Sequence, residues 1–220
     1  MYLYGYHTVK AALENPKRQV QQVYTSKPQD FPIKNAITVE AKYLDKLVAN
    51  VNHQGIVAQV TPLPMGHIET VEPRVLILDQ ITDPQNFGAI VRSAATFGFY
   101  DVVVRDYEQL IDSPVMARVA SGAVEHVRIV GVTNIARAIE ELNEQQFWVY
   151  GLDERGAQSL RQCKFPEKSA IVIGSEGYGL RPLTQKQCDA LLHIPHHGDF
   201  CVLNASHAAG IAMYEVLSNH

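Results

Sequence analysis

The larger part of the chain alternates strand-like apolar runs with segments of helical periodicity, and this alternation restricts the fold more than any other feature. The strand-like runs lie at 75–78, 101–104, 126–130, 147–151, 170–173 and 191–195, and the helical segments at 87–97, 114–123, 134–143 and 208–215. Strands that are apolar throughout are typical of a parallel sheet buried on both faces. Helices that alternate with such strands pack on both faces of the sheet. The sequence therefore predicts an α/β domain built on a parallel sheet.

A smaller α/β pattern precedes this domain. Helices are predicted at 8–14 and 41–48, and strands at 19–25, 34–39 and 55–60. Residues 61–74 are rich in Pro, Gly and Glu without apolar periodicity, which is typical of a linker. We expect a small domain at 1–62, a linker at 63–73 and a larger domain at 74–220.

Composition places the chain among ordinary globular proteins, with 46% hydrophobic and 19% charged residues in 220. No apolar run is long enough to cross a bilayer, and the first residues lack a secretory signal, so we expect a cytoplasmic protein without membrane contact. The three cysteines are widely spaced and odd in number, which does not indicate a disulfide framework.

The net charge of −4 conceals a gradient along the chain. Residues 1–60 carry seven Lys/Arg against four Asp/Glu (+3), whereas the remaining residues carry twelve against nineteen (−7). The positive excess at the start is compatible with nucleic-acid binding, and a solvated surface explains it about as well.

Residues 83–92 directly follow a buried strand and open a helix. A helix N-terminus favours polar or anionic ligands, and Asn86 there offers both an amide donor and a carbonyl acceptor. Arg92 follows about 9 Å along the helix axis and presents a planar fork suited to phosphate. On this segment alone, a purely structural interpretation remains open, in which Asn86 is a simple helix cap and Arg92 a surface cation.

Residues 174–179 form a glycine-rich loop after another apolar strand. The loop lacks the Lys-Ser/Thr end of a P-loop and the spacing of a dinucleotide fingerprint, and Glu176 within it would repel phosphate. It suits a cationic or hydroxyl-bearing ligand better, although a plain glycine turn remains an alternative. Ser175 does not sit in the Gly-x-Ser-x-Gly pattern of a serine hydrolase.

A cluster formed by His193, His196, His197 and Cys201 raises the question of a metal site. Zinc sites usually separate ligand pairs more widely or complete four ligands in regular spacing. We therefore expect no metal.

Taken together and in this order, residues 86–92, 173–180 and 194–195 with 203–210 resemble the three motifs of the SpoU family of RNA ribose 2′-O-methyltransferases. Residues 4–9 and 53–58 look like the start and end of the small RNA-binding domain in the branch that modifies guanosine of bacterial large-subunit rRNA. The resemblance implies a SPOUT domain with a deep trefoil knot, a homodimer with its active site at the subunit interface, and S-adenosylmethionine as cofactor. The family's cofactor contacts, largely main-chain, fall on Gly174, Ile194 and Leu203.

The same resemblance implies five catalytic or substrate-positioning residues: Arg92, Asn86, Glu176, Asn204 and Ser206. In the family, the arginine matching Arg92 is assigned to activating the ribose hydroxyl. Because a guanidinium is effectively never deprotonated in proteins, we expect Arg92 to hold the adjacent phosphate and stabilise the developing oxyanion instead. The other four residues would position the ribose.

The third motif departs from the family pattern, Ser-Leu-Asn-Val-Ser, because Val202 and Ala205 flank Leu203 and Asn204. The turn at 196–201 also differs. The loss of the hydroxyl at Val202 makes substrate details less transferable. The expected substrate is structured RNA, foremost guanosine in large-subunit rRNA, and no DNA partner is expected. A tRNA ribose methyltransferase and a non-catalytic RNA-binding or ribosome assembly factor are the alternatives.

Overall fold

The computed structural model describes residues 1–49, 51–105, 113–198 and 202–219 of the chain. It contains a four-stranded sheet near the N-terminus and a seven-stranded sheet in the remainder. The elements of the first unit are β1 (Tyr2–Tyr4), α1 (Tyr6–Glu14), β2 (Val20–Thr25), β3 (Ile37–Thr38), α2 (Ala41–Leu47) and β4 (Ile56–Val60). Its strands lie in the order β1-β4-β2-β3.

The second unit carries the remaining elements in strict alternation for most of its length. They are β5 (Arg74–Leu78), α3 (Pro84–Phe97), β6 (Asp101–Arg105), α4 (Pro114–Ala120), β7 (Arg128–Val132), α5 (Ile135–Glu144), β8 (Trp148–Leu152), β9 (Gln158–Ser159), β10 (Ser169–Ile173), α6 (Pro182–Gln187), β11 (Ala190–His193) and α7 (Ala205–Ser218). The strand order is β7-β6-β5-β10-β8-β11-β9, and every pairing is parallel. The prediction of a parallel α/β sheet behind a small N-terminal domain is confirmed.

Helices cover both faces of the large sheet, as the continuous apolar strands predict. Along β5, Leu76 and Leu78 contribute to a core shared with α3, α4 and α7, whereas Val75 and Ile77 contribute to a core shared with α5. Because alternate side chains of a strand point to opposite faces, an apolar strand supplies both cores at once.

Several predicted boundaries differ from the structure. The helix expected at 114–123 ends at Ala120, because Ser121 and Gly122 adopt left-handed backbone angles (φ 52° and 89°). The strand expected at 126–130 is wrong in its first part, since Ala123–His126 is a 3-10 turn. The sequence pattern also missed three short elements, β1, β9 and α6, which are too short for periodicity to reveal.

The segment expected to be a plain linker is docked on the large sheet. The amide of Gly66 donates a hydrogen bond to the carbonyl of Ile129 (2.8 Å), which adds a parallel bridge at the β7 edge. Ile68, two residues later, is buried in the core on the α5 side. The proposed domain boundaries and the trefoil knot stay predictions.

The two units share a packed junction. Ala117 of α4 belongs to the apolar core of the N-terminal unit, and a side chain at Gly122 would overlap Ala11 of α1. At this junction Arg18 donates hydrogen bonds to both carboxylate oxygens of Glu125 (2.7–3.1 Å), and both side chains are only 2% exposed. No helix among the described residues is long and apolar enough to cross a membrane.

Candidate active site

A cavity of about 490 Å³ opens at the carboxyl ends of β8, β10 and β11. Ligands of open α/β sheets bind at this edge, because loops from neighbouring strands converge there. The three residues predicted to contact the cofactor, Gly174, Ile194 and Leu203, all line this cavity, although they come from two different loops. Val202, one of the departures in the third motif, also lines the cavity and is largely exposed.

The wall formed by residues 174–180 is a tight hairpin. The amide of Ser175 donates to the carbonyl of Gly179 (3.2 Å), and the amide of Gly179 donates back to the carbonyl of Ser175 (3.0 Å). A Cβ atom at Gly174 would overlap the backbone of Gly179 and Leu180. Glycine is therefore required at this position by the close approach of the two arms of the hairpin.

A buried ion pair fixes the end of this hairpin to the sheet. Asp79, which follows β5 and is fully buried, accepts hydrogen bonds from Nε of Arg181 (2.7 Å) and from its amide (3.2 Å). Sequence reasoning missed both residues. Asp79 carried a usable signal, since an acidic residue at the carboxyl end of a buried parallel strand is placed either to bind or to anchor a neighbouring loop.

Glu176 is the centre of the hydrogen-bond network at the mouth of the cavity. Its Oε1 accepts hydrogen bonds from Nδ2 of Asn86 (3.1 Å), from Nδ2 of Asn204 (2.5 Å) and from the amide of Ala205 (3.2 Å). Nδ2 of Asn204 also approaches Oδ1 of Asn86 (2.9 Å). The network joins residues of all three motifs, and Glu176 lies where the positive ends of α3 and α7 meet.

Two helix caps hold this network in place. Asp83 accepts a hydrogen bond from the amide of Asn86 (2.8 Å) and so caps α3. Asn204 caps α7, and its Oδ1 accepts from both the amide and the hydroxyl of Ser206. Asn204 thus uses its carbonyl for the helix and its amide for Glu176, which fixes the orientation of the side chain.

Arg92 stands apart from this network. It lies six residues beyond Asn86, which rotates its side chain by about 120° around the helix relative to Asn86. It belongs to an exposed stripe of α3 with Gln85 and Thr96, and it does not line the cavity. Within the described part of the chain its guanidinium has no hydrogen-bond or ion-pair partner. The structure therefore brings together Asn86, Glu176, Asn204 and Ser206 and leaves Arg92 free for a ligand or a second molecule.

Two further residues of the cavity wall were not anticipated. Oγ of Ser175 is buried and has no hydrogen-bond partner, which is costly unless a ligand supplies one. Asp153, after β8, accepts hydrogen bonds from the amide of Arg155 (2.9 Å) and from Nε2 of Gln185 (3.2 Å) and places negative charge in the wall.

The cysteine and histidine side chains that the structure describes form no metal site. No group of three His, Cys, Asp or Glu side chains within the described ranges could hold a metal ion, and Cys201 of the candidate cluster lies outside those ranges. Burial, reinforced by the nearby carboxylates of Asp189 and Asp79, raises the pKa of the Cys188 thiol to about 12. This thiol is therefore protonated at neutral pH and a poor nucleophile or ligand.

Two family models match the chain. Residues 73–214 match the SpoU rRNA Methylase family, and residues 2–66 match a model described as RNA 2′-O ribose methyltransferase substrate binding. The chain belongs to the SpoU rRNA methylase family. The family inferred from the three motifs is thereby confirmed.

Curated relatives agree over nearly the whole chain. A 23S rRNA (guanosine-2′-O-)-methyltransferase, RlmB of Salmonella typhimurium, is 35% identical over 98% of this chain and 97% of its own length. Its Escherichia coli K12 counterpart is 34% identical with the same coverage. An uncharacterized tRNA/rRNA methyltransferase of Synechocystis is 37% identical over 97% of this chain, which spans 61% of the length of that relative.

Solved structures share the fold. A crystal structure of an RNA 2′-O ribose methyltransferase superimposes with a TM-score of 0.84 and 21% identity, covering 100% of this chain and 88% of that one. The SpoU methyltransferase AviRb of Streptomyces viridochromogenes, in complex with AdoMet, superimposes with a TM-score of 0.80 and 20% identity, covering 99% and 89% of the two chains. At this identity the likeness extends to the fold alone.

Proposed function

We propose that this protein transfers a methyl group from S-adenosylmethionine to a ribose 2′-hydroxyl of structured RNA, and that the acceptor is a guanosine of large-subunit rRNA. The observation that carries the proposal is the meeting of Asn86, Glu176 and Asn204 at the mouth of one cavity. Family membership supports the reaction class, and the activity of the RlmB relatives, which align over 97% of their length, supports the substrate.

The cavity walls fit the chemistry of this cofactor. Leu152, Ile173 and Ile194 offer apolar surface to an adenine ring, and Glu176 offers negative charge to a sulfonium or ammonium group. The unpartnered Oγ of Ser175 offers a hydrogen bond. When bound, the cofactor supplies an electrophilic methyl group. Gly174, Ile194 and Leu203 would hold it, mainly through their backbone atoms.

On the acceptor side, the ribose hydroxyl loses its proton as the new C–O bond forms. Oε1 of Glu176 already accepts three hydrogen bonds, whereas its Oε2 has no partner in the described part of the chain and is able to accept one from a ribose hydroxyl. Asn86, Asn204 and Ser206 keep the carboxylate in place. We assign to Arg92 the binding of the adjacent phosphate and the stabilisation of the developing oxyanion.

We further propose that the protein is a homodimer in which the second copy brings its Arg92 to the cavity. Two features of the outer surface support this. The exposed stripe of α3 with Arg92 runs beside an exposed apolar stripe of α7 formed by Ile211, Tyr214 and Leu217. Exposed apolar side chains concentrated on one helix face are typical of an interaction surface. A symmetric dimer buries the same stripe of both copies.

Two remaining expectations follow from family membership. The loops around the cavity would form the trefoil knot, and the protein would act in the cytoplasm, where the bacterial ribosome is assembled. Both are proposals.

The test is a methylation assay with labelled cofactor and total RNA from cells that lack the enzyme. We expect label in large-subunit rRNA, and digestion to nucleosides followed by mass spectrometry should identify 2′-O-methylguanosine. Label confined to tRNA would refute the rRNA assignment. RNA binding without any label would instead favour the non-catalytic assembly factor.

A further inference from the structure

One face of the N-terminal sheet carries an unusual concentration of tyrosine and amide side chains. Strand register places on this face, which we name the tyrosine face, side chains from all four strands: Tyr2 and Tyr4 of β1, Val57 and Gln59 of β4, Gln22 and Tyr24 of β2, and Ile37 of β3. Residues paired across neighbouring strands share a face, so these side chains form two adjacent rows.

The tyrosine face is only half covered. The opposite face of the sheet packs against α1 and Ala117 of the large domain. On the tyrosine face, α2 covers one end, where Leu44 and Val48 pack on Tyr4 and Val57. Away from α2, Tyr2, Gln22 and Gln59 remain half-buried, and Ile37 is exposed. A half-buried sheet face with tyrosine and glutamine side chains is neither a fully packed core nor a typical solvated surface.

Where the tyrosine face meets α2, the ring of Tyr24 lies close to that of Tyr43, which α2 contributes. The rings of Tyr24 and Tyr43 are 5.6 Å apart, and Tyr43 is 44% exposed. Burial, with Tyr43 and Tyr2 nearby, raises the pKa of the Tyr24 hydroxyl. The exposed ring of Tyr43 therefore offers a surface for stacking, and the half-buried Tyr24 beside it holds that ring in place.

Cations lie near the tyrosine face. Arg118 of α4 is exposed and close enough to Tyr4 that its charge opposes the rise in the pKa of that hydroxyl caused by burial. Lys42 and Lys46 are exposed on α2, one turn apart on the side of the helix away from Leu44, while Asp45 between them is engaged by His53 (3.1 Å). Arg118 therefore brings positive charge to the rings, and the two lysines add positive charge to the outer surface of α2.

Arg118 also lies on the helix that joins the tyrosine face to the helix of Arg92. α4 packs tightly on α3, because a Cβ at Gly88 would lie 2.7 Å from the carbonyl of Met116 and 3.0 Å from Val119, the neighbour of Arg118. Arg92 follows Gly88 by one helical turn and so points toward the same side of α3. The packed junction between the domains holds these elements in fixed relation.

We propose that the tyrosine face, with Lys42, Lys46 and Arg118, binds a single-stranded segment of the substrate RNA and leads it toward Arg92. The bases stack on the exposed rings, the amides of Gln22 and Gln59 contact base edges, and the cations contact phosphates. Splayed bases expose the ring faces that stacking requires, whereas a duplex hides them, which favours a single strand. This inference rests on the proposed RNA substrate. It adds which face of the N-terminal sheet binds the RNA, and that the bound segment is single-stranded.

The test measures binding of a fluorescent single-stranded RNA oligomer, and of the same sequence as a duplex, to the full chain by anisotropy. Tyr43→Ala should weaken single-strand binding about 5- to 150-fold, the range that loss of one stacked base implies. Tyr43→Phe should retain wild-type affinity. Arg118→Ala should make the negative slope of log affinity against log salt concentration shallower by about 0.7, because one phosphate contact is lost. Tyr100→Ala, with an equally exposed tyrosine (47%) before β6, is the matched control and should leave binding unchanged.

Three results would overturn the inference: unchanged affinity in both Tyr43→Ala and Arg118→Ala, a preference of the wild type for the duplex, or dissociation of a dimer by Tyr43→Ala in sedimentation, which would identify the face as an interface between copies. Methyl transfer is measured separately. RNA binding that depends on Tyr43 in a protein without methyl transfer would refute the proposed function and leave the tyrosine face intact.

Discussion

The side-chain amide of Asn204 lies 2.9 Å from the side-chain carbonyl of Asn86, although the two residues are 118 positions apart in the chain. Both also donate to the same oxygen of Glu176. A helix cap, a helix N-terminus and the glycine hairpin are thereby joined through three side chains. The geometry of the cavity mouth consequently depends on amide donors. A substitution that removes one N–H group should disturb it even where the side chain keeps its size.

Asn204→Asp tests this dependence. An aspartate caps α7 as well as asparagine does, but it has no donor for Glu176 and places a second carboxylate beside it. We expect the free energy of unfolding to stay within about 1 kcal/mol of the wild type, since the cap is retained. Methyl transfer should fall more than about tenfold, an increase of about 1.4 kcal/mol in the activation barrier, because the repelled carboxylate of Glu176 no longer holds its position at the cavity mouth.

The matched control is Asn134→Asp, which changes the cap of α5 in the same way (Asn134 Oδ1 accepts from the amide of Arg137, 3.3 Å) far from the cavity. Urea unfolding and single-turnover methylation are measured for both variants. Equal activity of the two variants would show that the amide of Asn204 serves α7 alone.

Arg92→Ala should strongly lower methyl transfer and leave cofactor affinity unchanged, because we assign Arg92 to the RNA phosphate and the developing oxyanion and not to the cofactor. Removal of one group that stabilises a developing oxyanion typically lowers kcat about 10²–10³-fold. Arg92→Lys keeps the charge but loses the planar fork, so an intermediate rate is expected. Cofactor affinity by calorimetry and the methylation rate at saturating RNA separate the two roles. A fall in cofactor affinity, or a methylation rate close to that of the wild type, would contradict the assignment. Arg137→Ala, which removes an exposed arginine elsewhere, is the control for the loss of one positive charge.

The sequence predicted the composition of the site better than its geometry. The resemblance to the family motifs proposed Asn86, Glu176 and Asn204, and the structure joins them by hydrogen bonds, while their roles stay predictions. The isolation of Arg92 from the cavity was not foreseen, because it depends on the rotation of α3 against its neighbours. Asp79, Arg181 and Asp153 were missed because their partners are distant in the chain: Asp79 pairs with Arg181 at the start of α6, and Asp153 with Gln185 of α6. Only the order of strands in the sheet brings such residues together, and no spacing in the chain reports it.

The buried pair Arg18–Glu125 should be a principal tie between the two domains. Glu125→Ala leaves a buried guanidinium without its carboxylate, and breaking such a pair typically costs about 3–5 kcal/mol. Arg18 keeps only its hydrogen bond to the carbonyl of Thr61 (2.8 Å). Denaturant unfolding should therefore show a large loss of stability, or an early transition of the N-terminal domain.

Glu141→Ala is the control, since its pair with Arg137 is exposed and such pairs contribute about 0.3–0.5 kcal/mol. A loss of similar size in both variants would show that the junction does not depend on the ion pair. Because the tyrosine face and Arg92 lie on opposite sides of this junction, Glu125→Ala should also weaken RNA methylation more than cofactor binding.

Mixing two inactive variants tests whether the active site is shared between copies. Arg92→Ala removes the arginine, and Gly174→Ala places a Cβ where the backbone of Gly179 and Leu180 already lies, which should block the cofactor wall. If the second copy supplies Arg92, a heterodimer has one site with both parts intact. One of the two sites of each heterodimer then works, hence about half of wild-type activity in the isolated heterodimer and about a quarter in a random mixture of the two variants. Methylation is measured after co-expression with two affinity tags and isolation of the mixed species, with the dimeric state and melting temperature of each variant checked beforehand. If the isolated heterodimer is no more active than either parent, Arg92 and the cavity act within the same copy.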